Sequence, residues 1–346
     1  MGIRSLFLNT MIIVFLFDLV ACSLPRSEPE FPLKHYGVLT EEQITTSLKA
    51  QDKPYRILSI SGGGPNGAWT AGVINSWQED RFDCIIGVST GALAGTSIYL
   101  DRKDDLKAAY TDVDNSDIYK FINVFDIFTV TSLSSNDAFE DTVAKYITDD
   151  LIDQVAAEYK KTNRLLLVCA FDLDSGRIVT WNLGQLALNK DYATYRDAIL
   201  ASAAIPILFP PIEIGSHLFV DGGARANVYI HQPILKLAAA DHKKVVVRLL
   251  LNTMPSELGE SRVDKSFAGV ATKSVSSLID SAMIGSIFSI QTLCKYYEFD
   301  FAYGQPTPGT PLEGYDFSRE KMLNIYNYGL KWGKNPEWNS VFEPRY

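Results

Sequence analysis

The chain has 346 residues, 47% of them apolar types and 21% charged, which is enough apolar material for one large core. No internal repeat, low-complexity block or long Pro/Ser-rich linker forces a division, so one large domain with appendages is expected. The net charge of −9 argues against a nucleic-acid partner, because holding a phosphate backbone takes clustered Lys and Arg, whereas Arg102-Lys103, Lys160-Lys161 and Lys243-Lys244 sit among acids as solvated surface.

The amino terminus differs from the rest. Arg4 precedes Leu6-Phe7-Leu8 and the run Met11-Ile12-Ile13-Val14-Phe15-Leu16-Phe17, which ends in Leu19-Val20-Ala21-Cys22. A charged start, a short apolar run and small residues before a break describe a secretory signal. Asn9 and Asp18 interrupt the run, which makes it a poor permanent span. Leu19-Val20-Ala21-Cys22 resembles the lipobox of bacterial lipoproteins, the rival being an uncleaved helix with an incidental cysteine. The resemblance implies that residues 1–21 are removed and that Cys22 is acylated, anchoring the mature protein to a membrane. Ser23 stands where an Asp would mark inner-membrane retention, so the outer membrane, on its periplasmic or surface side, is the implied address. Residues 22–52, with Pro25, Pro29 and Pro32, read as a tether that ends in a short helix around Thr40–Leu48.

From there strands and helices alternate. Tyr55–Ile60 is a predicted strand, followed by Ser61-Gly62-Gly63-Gly64-Pro65-Asn66-Gly67 and a helix over Ala68–Glu79. Phe82–Val88 is a second strand, and Thr90–Leu100 a helix rich in small residues. Leu165–Phe171 and Ile178–Trp181 are strands joined through Asp174-Ser175-Gly176, a turn sequence. Leu218–Val220 is a short strand and Val245–Leu251 a buried one. Alternation of this kind implies an α/β fold in three layers, with a central mixed, mostly parallel sheet and helices on both faces. Lys265 to about Lys295 reads as a long helix whose apolar stripe, Val270, Ile279, Met283, Ile287 and Ile290, faces the core.

Three segments carry chemistry. Gly87-Val88-Ser89-Thr90-Gly91 is a G-x-S-x-G sequence between a strand and a helix, the setting in which a serine projects from a tight turn. The helix that follows turns its positive end toward Ser89, which favours negative charge developing there. The Ser61–Gly67 loop exposes backbone N–H groups and reads as a phosphate cradle or an oxyanion hole. No Lys-Ser/Thr pair follows it, and the acid that a dinucleotide site requires has only Asp83 as a candidate, so with Ser89 nearby the oxyanion reading wins. Asp221-Gly222-Gly223 follows a strand and places an acid where it reaches a cleft, although Asp-Gly is also an ordinary turn.

In this order the three elements resemble the patatin-like phospholipase family. Ala170-Phe171-Asp172-Leu173-Asp174-Ser175-Gly176 is similar to that family's D-L-x-[ST]-G hairpin. Ala201-Ser202-Ala203-Ala204-Ile205-Pro206-Ile207-Leu208-Phe209-Pro210-Pro211 is similar to its A-S-x-A-x-P-x-x-F-P-P segment. The resemblance spans roughly Arg56 to Leu251 and implies the family's three-layer fold and lipid acyl hydrolysis. It implies Ser89 as nucleophile, Asp221 as its base, and Gly63 and Gly64, with Gly62 as a third, as oxyanion donors. Asn66 departs from the pattern, standing where many members carry Arg or Lys. The implied division is a signal peptide over 1–21, a tether over 22–52, a hydrolase domain over 53–303 and a C-terminal extension over 304–346. The implied substrates are membrane phospholipids or other acyl lipids.

An aspartate in water, with a pKa near 3.9, is a feeble base for serine, so a closed, apolar cleft belongs to the expectation. One rival is an α/β-hydrolase with a Ser-Asp-His triad, for which His217, His231 and His242 are available. Each of these reads as a surface or capping residue, His217 being the best candidate because it is four residues from Asp221. The other rival is a lipoprotein that binds lipid without catalysis. No cofactor is implied, and no His/Cys/carboxylate cluster has metal-ligand spacing. Cys84, Cys169 and Cys294 are an odd number without paired spacing, and Cys84 and Cys169 read as small hydrophobes in strands.

Overall fold

The computed structural model describes residues 36–343 apart from 52, 79–80, 122–131, 133 and 256–262. The stretch 1–21 read as a signal, Cys22, and the part of the expected tether up to residue 35 lie outside the described residues. The first helix, α1 (Glu41–Lys49), opens on a capping box: Thr40 Oγ1 accepts the Gln43 N–H while the Gln43 side chain accepts the Thr40 N–H. Strand β1 (Tyr55–Ile60) runs through the glycine loop into a single 3₁₀ turn, Gly64–Asn66, and then α2 (Gly67–Ser76). There follow β2 (Cys84–Val88), α3 (Thr90–Tyr99), α4 (Lys103–Thr111), the one-turn α5 (Asn115–Ile118), the short pair β3 (Lys120–Phe121) and β4 (Ser134–Ser135), α6 (Asp137–Tyr146) and α7 (Asp149–Thr162). The second half adds the hairpin β5 (Leu165–Asp172) and β6 (Arg177–Asn182), α8 (Leu183–Leu188), α9 (Tyr192–Ala203), and the hairpin β7 (Ile212–Ile214) and β8 (His217–Asp221). The last elements are α10 (Gln232–Ala240), β9 (Val245–Leu250), α11 (Phe267–Tyr296), β10 (Asp300–Gly304) and α12 (Arg319–Lys334).

The main sheet has the order β10-β9-β1-β2-β5-β8-β7, with β6 paired to β5. Strands β10, β9, β1, β2 and β5 are parallel, and β6, β7 and β8 join antiparallel. This is the mixed, mostly parallel α/β sheet that the alternation of elements predicted. Side chains alternate across each strand, and the two cores divide accordingly. Leu58, Ile60, Ile85, Leu166 and Val168 pack on one face against Trp69 of α2, Ala92 of α3 and Ile199 of α9. Ile57, Cys84, Ile86, Leu165 and Leu167 pack on the other against Ile44 of α1, Ile234 of α10 and Met283 and Ile287 of α11. Fully burying one such aliphatic side chain stabilises the fold by about 1.5–3 kcal/mol.

The carboxy-terminal stretch, set apart in the sequence as an extension from residue 304, contributes to the first of these cores. Helix α12 crosses α2 where a Cβ on Gly72 would strike the Tyr326 carbonyl oxygen and one on Gly329 would strike that of Trp69. The Trp69 and Trp332 rings stand 5.2 Å apart at that crossing.

Two sequence expectations require correction. The stripe on α11 is only partly core: Met283, Ile287 and Ile290 are buried, Ile279 is half-buried, and Val270 is exposed. Periodicity fixes which residues share a face, and Val270 stands on the opposite one. His217 is no surface residue. The turn ends at Ser216, and His217 begins β8 fully buried, its Nδ1 2.8 Å from Asp172 Oδ2.

Candidate active site

Ser89 sits between β2 and α3 with φ 55° and ψ −125°, a backbone conformation that a side-chain-bearing residue adopts only under constraint. The constraint is the close packing of its neighbours. A Cβ on Gly87 would strike the Gly91 carbonyl oxygen, and one on Gly91 would lie 2.5 Å from the Ile60 carbonyl oxygen. Both glycines of the G-x-S-x-G sequence are therefore steric requirements of the turn. The Ser89 N–H donates to Ser202 Oγ at 2.9 Å, and the Ser202 hydroxyl donates to the Cys169 carbonyl at 2.6 Å. Ser202 thus ties the elbow to β5, which gives the Ala201–Pro211 segment a physical task that the sequence alone did not show.

Sheet register brings Asp221 to Ser89. On one edge of β5, Val88 of β2 pairs with Cys169 and Asp221 of β8 pairs with Ala170, while β6 occupies the other edge. The residue after Val88 and the residue opposite Ala170 are consequently neighbours. The Asp221 N–H donates to the Ala204 carbonyl at 2.9 Å, so the segment holding Ser89 through Ser202 also holds Asp221. Asp221 is only 3% exposed. Its Oδ1 accepts the Gly223 N–H at 2.7 Å. Burial pushes its pKa up to about 7 against the lowering effect of the Ser89 side chain and the Gly223 N–H. Among carboxyls this is one suited to accept a proton near neutral pH.

The glycine loop requires one revision of the sequence reading. The Gly62 N–H donates to the Asn227 carbonyl at 3.0 Å and is not free to meet an oxyanion. Gly62 serves instead by being small, since a Cβ there would lie 2.9 Å from Ser89 Cβ. Gly63 and Gly64, at φ 151° and 55°, adopt positive angles that side chains resist, and among the described residues neither N–H has an acceptor. Asn252, just past β9, clamps the start of the loop: its Nδ2 donates to the Ser61 carbonyl at 2.8 Å, and its Oδ1 accepts the Thr70 hydroxyl at 2.7 Å. Asn66 pairs with a residue far along the chain. Its Nδ2 donates to the Glu313 carbonyl at 2.8 Å, and its Oδ1 accepts the Glu313 N–H at 2.8 Å. Asn227, Asn252 and Glu313 were not singled out from sequence, for no local pattern marks a contact across such separations.

Ser89, Asp221, Gly63 and Gly64 line a cleft of about 190 Å³. Its walls are Ser276, Ile279 and Asp280 of α11 and the Glu313–Tyr315 segment. Burial raises the pKa of Asp280, and burial together with the Asp280 and Asp221 charges raises that of Tyr315. Glu313 is paired with Lys321 Nζ at 3.1 Å. Among the described residues of this lining there is no Lys, Arg or His.

The three histidines considered for a triad lie elsewhere. His217 stands at the far end of β8 from Asp221 and is bonded to Asp172. His231 precedes α10 beside the Tyr229 hydroxyl, and burial lowers its pKa to about 4. His242 follows the same helix at φ 52°. Cys84, Cys169 and Cys294 are buried free thiols, and burial raises all three pKa values, those of Cys169 and Cys294 to about 12.

One group with ligand spacing escaped the sequence reading: atoms of Asp172, Asp174 and His217 lie within 4.8 Å of one another. These carboxylates are engaged in joining two hairpins. Asp172 Oδ1 accepts the Asp174 and Ser175 N–H groups at 2.9 and 3.3 Å, and Asp174 Oδ2 accepts the Leu218 N–H at 2.8 Å.

A model of the patatin-like phospholipase family matches residues 58–234, just over half of the 346-residue chain, and all five sequence motifs fall within the match or at its edge. Among solved structures, VipD from Legionella pneumophila aligns at 11% identity and a TM-score of 0.45, over 81% of this chain and 66% of that one. No curated protein matches. With the family's glycine loop, serine elbow and D-G-G acid converging on one cleft, the chain belongs to the patatin-like phospholipases, a family of lipid acyl hydrolases.

Proposed function

We propose that the protein is a serine carboxylic ester hydrolase that cleaves acyl lipids, phospholipids or lysophospholipids among them, with Ser89 as nucleophile and Asp221 as its base. The observation that carries the reading is the pairing of a constrained Ser89 with a buried carboxyl whose pKa lies near 7. Ionised Asp221 takes the Ser89 proton as Oγ attacks the ester carbonyl. The tetrahedral oxyanion is met by the Gly63 and Gly64 N–H groups and by the amino-terminal end of α3. Collapse breaks the bond to the alcohol, which leaves with the proton from Asp221, and Ser89 retains the acyl group. Water then gives its proton to Asp221 and attacks the acyl-enzyme. Its collapse releases the fatty acid, and Ser89 regains the proton.

The cleft charge supports neutral or zwitterionic head groups over anionic ones. Asp280 and Asp221 face it, and Asn66 stands where many family members carry Arg or Lys. No histidine lines the cleft among the described residues, which favours a dyad over a triad. The lipobox supports attachment of the mature protein to a membrane through Cys22, the outer membrane being the one its Ser23 indicates. A fluorophosphonate probe is expected to label the parent and leave Ser89→Ala unlabelled. Retained ester turnover by Ser89→Ala, with labelling at another serine, rejects the reading.

A further inference from the structure

Helix α11 has a face that the catalytic reading does not use. From Val270 to Tyr296 eleven positions are exposed, and their spacing puts them on one side of about seven turns of helix, some 40 Å long. Lys295, at the very end, is the only charged residue among the eleven. Val270 is 53% exposed, Leu278 66%, Phe288 52% and Tyr296 77%, and the remaining positions are Ser, Thr and Gly. A chain carrying 73 charged residues and a net −9 would ordinarily place some of them on so long an exposed helix. Composition alone would let Gly269–Tyr296 cross a membrane, and only 22% of its most apolar window is buried. It does not span here, because Met283, Ile287 and Cys294 pack its inner face into the core.

We infer that the outer face of α11 docks on the neutral surface of a lipid bilayer, lying along it as an interfacial helix, and this rests on the lipid hydrolase reading above. The argument is continuity. The inner face of the same helix supplies Ser276, Ile279 and Asp280 to the wall of the cleft. Whatever covers the outer face therefore lies within about one helix diameter, 10–12 Å, of the site. Lipid lying there has a short path into the cleft. Tyr315, 40% exposed on the opposite wall, adds an aromatic ring of the kind that settles at the head-group level. A face without acids also suits a net-negative protein that has to approach lipid closely. A second copy of the chain is the weaker occupant. The large apolar groups are separated by Ser and Gly and do not form the contiguous apolar centre of a stable homodimer.

The test uses the full chain with its own amino terminus, so that any anchor at Cys22 is common to parent and variants. Leu278→Asp and Phe288→Asp lie outside the cleft lining and are expected to leave turnover of a short soluble ester within about twofold of the parent. Turnover of phosphatidylcholine in vesicles is expected to fall about tenfold or more, as losing one buried apolar side chain implies. Independently of turnover, the emission added by Phe288→Trp is expected to be quenched by vesicles of brominated phosphatidylcholine. Absence of quenching, or vesicle turnover unchanged in both Asp variants, overturns the inference. So does a lipid-free dimer that Phe288→Asp dissociates, which would assign the face to a second copy. Loss of soluble-ester turnover in the parent itself would instead reject the hydrolase reading, and the quenching measurement would still decide the docking.

Discussion

Replacing Asp221 by Asn is expected to make the protein more stable and far less active, with a specific pH signature. A carboxyl that ordinarily ionises near 3.8 is held neutral up to about 7, chiefly by burial. At about 1.36 kcal/mol per tenfold change in proton affinity, the folded protein bears a cost on the order of 4 kcal/mol once Asp221 is ionised. The sign follows from proton counting. Between the unfolded value and about 7, the folded state holds a proton that the unfolded chain has released, so stability falls as pH rises through this window. Below the window neither state is ionised and the cost vanishes; above it the cost is complete.

Asn has no charge to bury, and its Oδ1 can still accept the Gly223 N–H. Urea unfolding of parent and Asp221→Asn should therefore agree near the acid end of the window and diverge steadily toward pH 8. The variant ends more stable by a few kcal/mol, and other titrating groups cancel in the difference. Ester turnover of the parent should rise across pH 7 as the base ionises, and the variant should lose about 10²–10⁴-fold in rate. A stability gap that is the same at both ends, or a parent that is the more stable at pH 8, refutes the assignment of a desolvated base to Asp221.

Ser202→Ala leaves the Ser89 N–H and the Cys169 carbonyl without their bridging hydroxyl; it should cost about 1–3 kcal/mol of stability and lower kcat with KM little changed. A matching rise in KM would mean that Ser202 shapes the binding site and does not position Ser89. His217→Gln should cost a similar stability through Asp172 yet keep turnover per folded molecule. Collapse of turnover there, with Asp221→Asn still active, would establish a triad. Cys22→Ser should accumulate as unprocessed precursor, and processing with unaltered detergent partitioning would remove the lipoprotein reading.

The parts of the site that sequence revealed are those whose physics is local. Gly87, Ser89 and Gly91 lie within one turn, and the clash that requires Gly87 is with Gly91 itself, although the one that requires Gly91 is with Ile60 of β1. Asp221 was visible because two glycines follow an apolar strand. Hidden were the groups that act across long separations: Ser202 upon Ser89, Asn252 upon Ser61, and Asn66 upon Glu313. His217 was misread because Gly215-Ser216 is a local turn signal, whereas its burial depends on Asp172, 45 residues earlier. On α11 the stripe was read correctly from Ile279 to Ile290 but wrongly extended to Val270, which belongs to the outer face with its bland Ser and Gly. These hidden groups bear on one requirement. A carboxylate can serve as base to serine only if it is kept from water, and strand pairing alone leaves the Asp221 end of β8 open toward the cleft. In the folded chain α11 and the Glu313–Tyr315 segment wall that cleft, and Asn66 fixes the second wall to the glycine loop. The basicity of Asp221 is thus a property of segments up to about ninety residues beyond it, and changes to either wall should be felt first in the pH dependence of turnover.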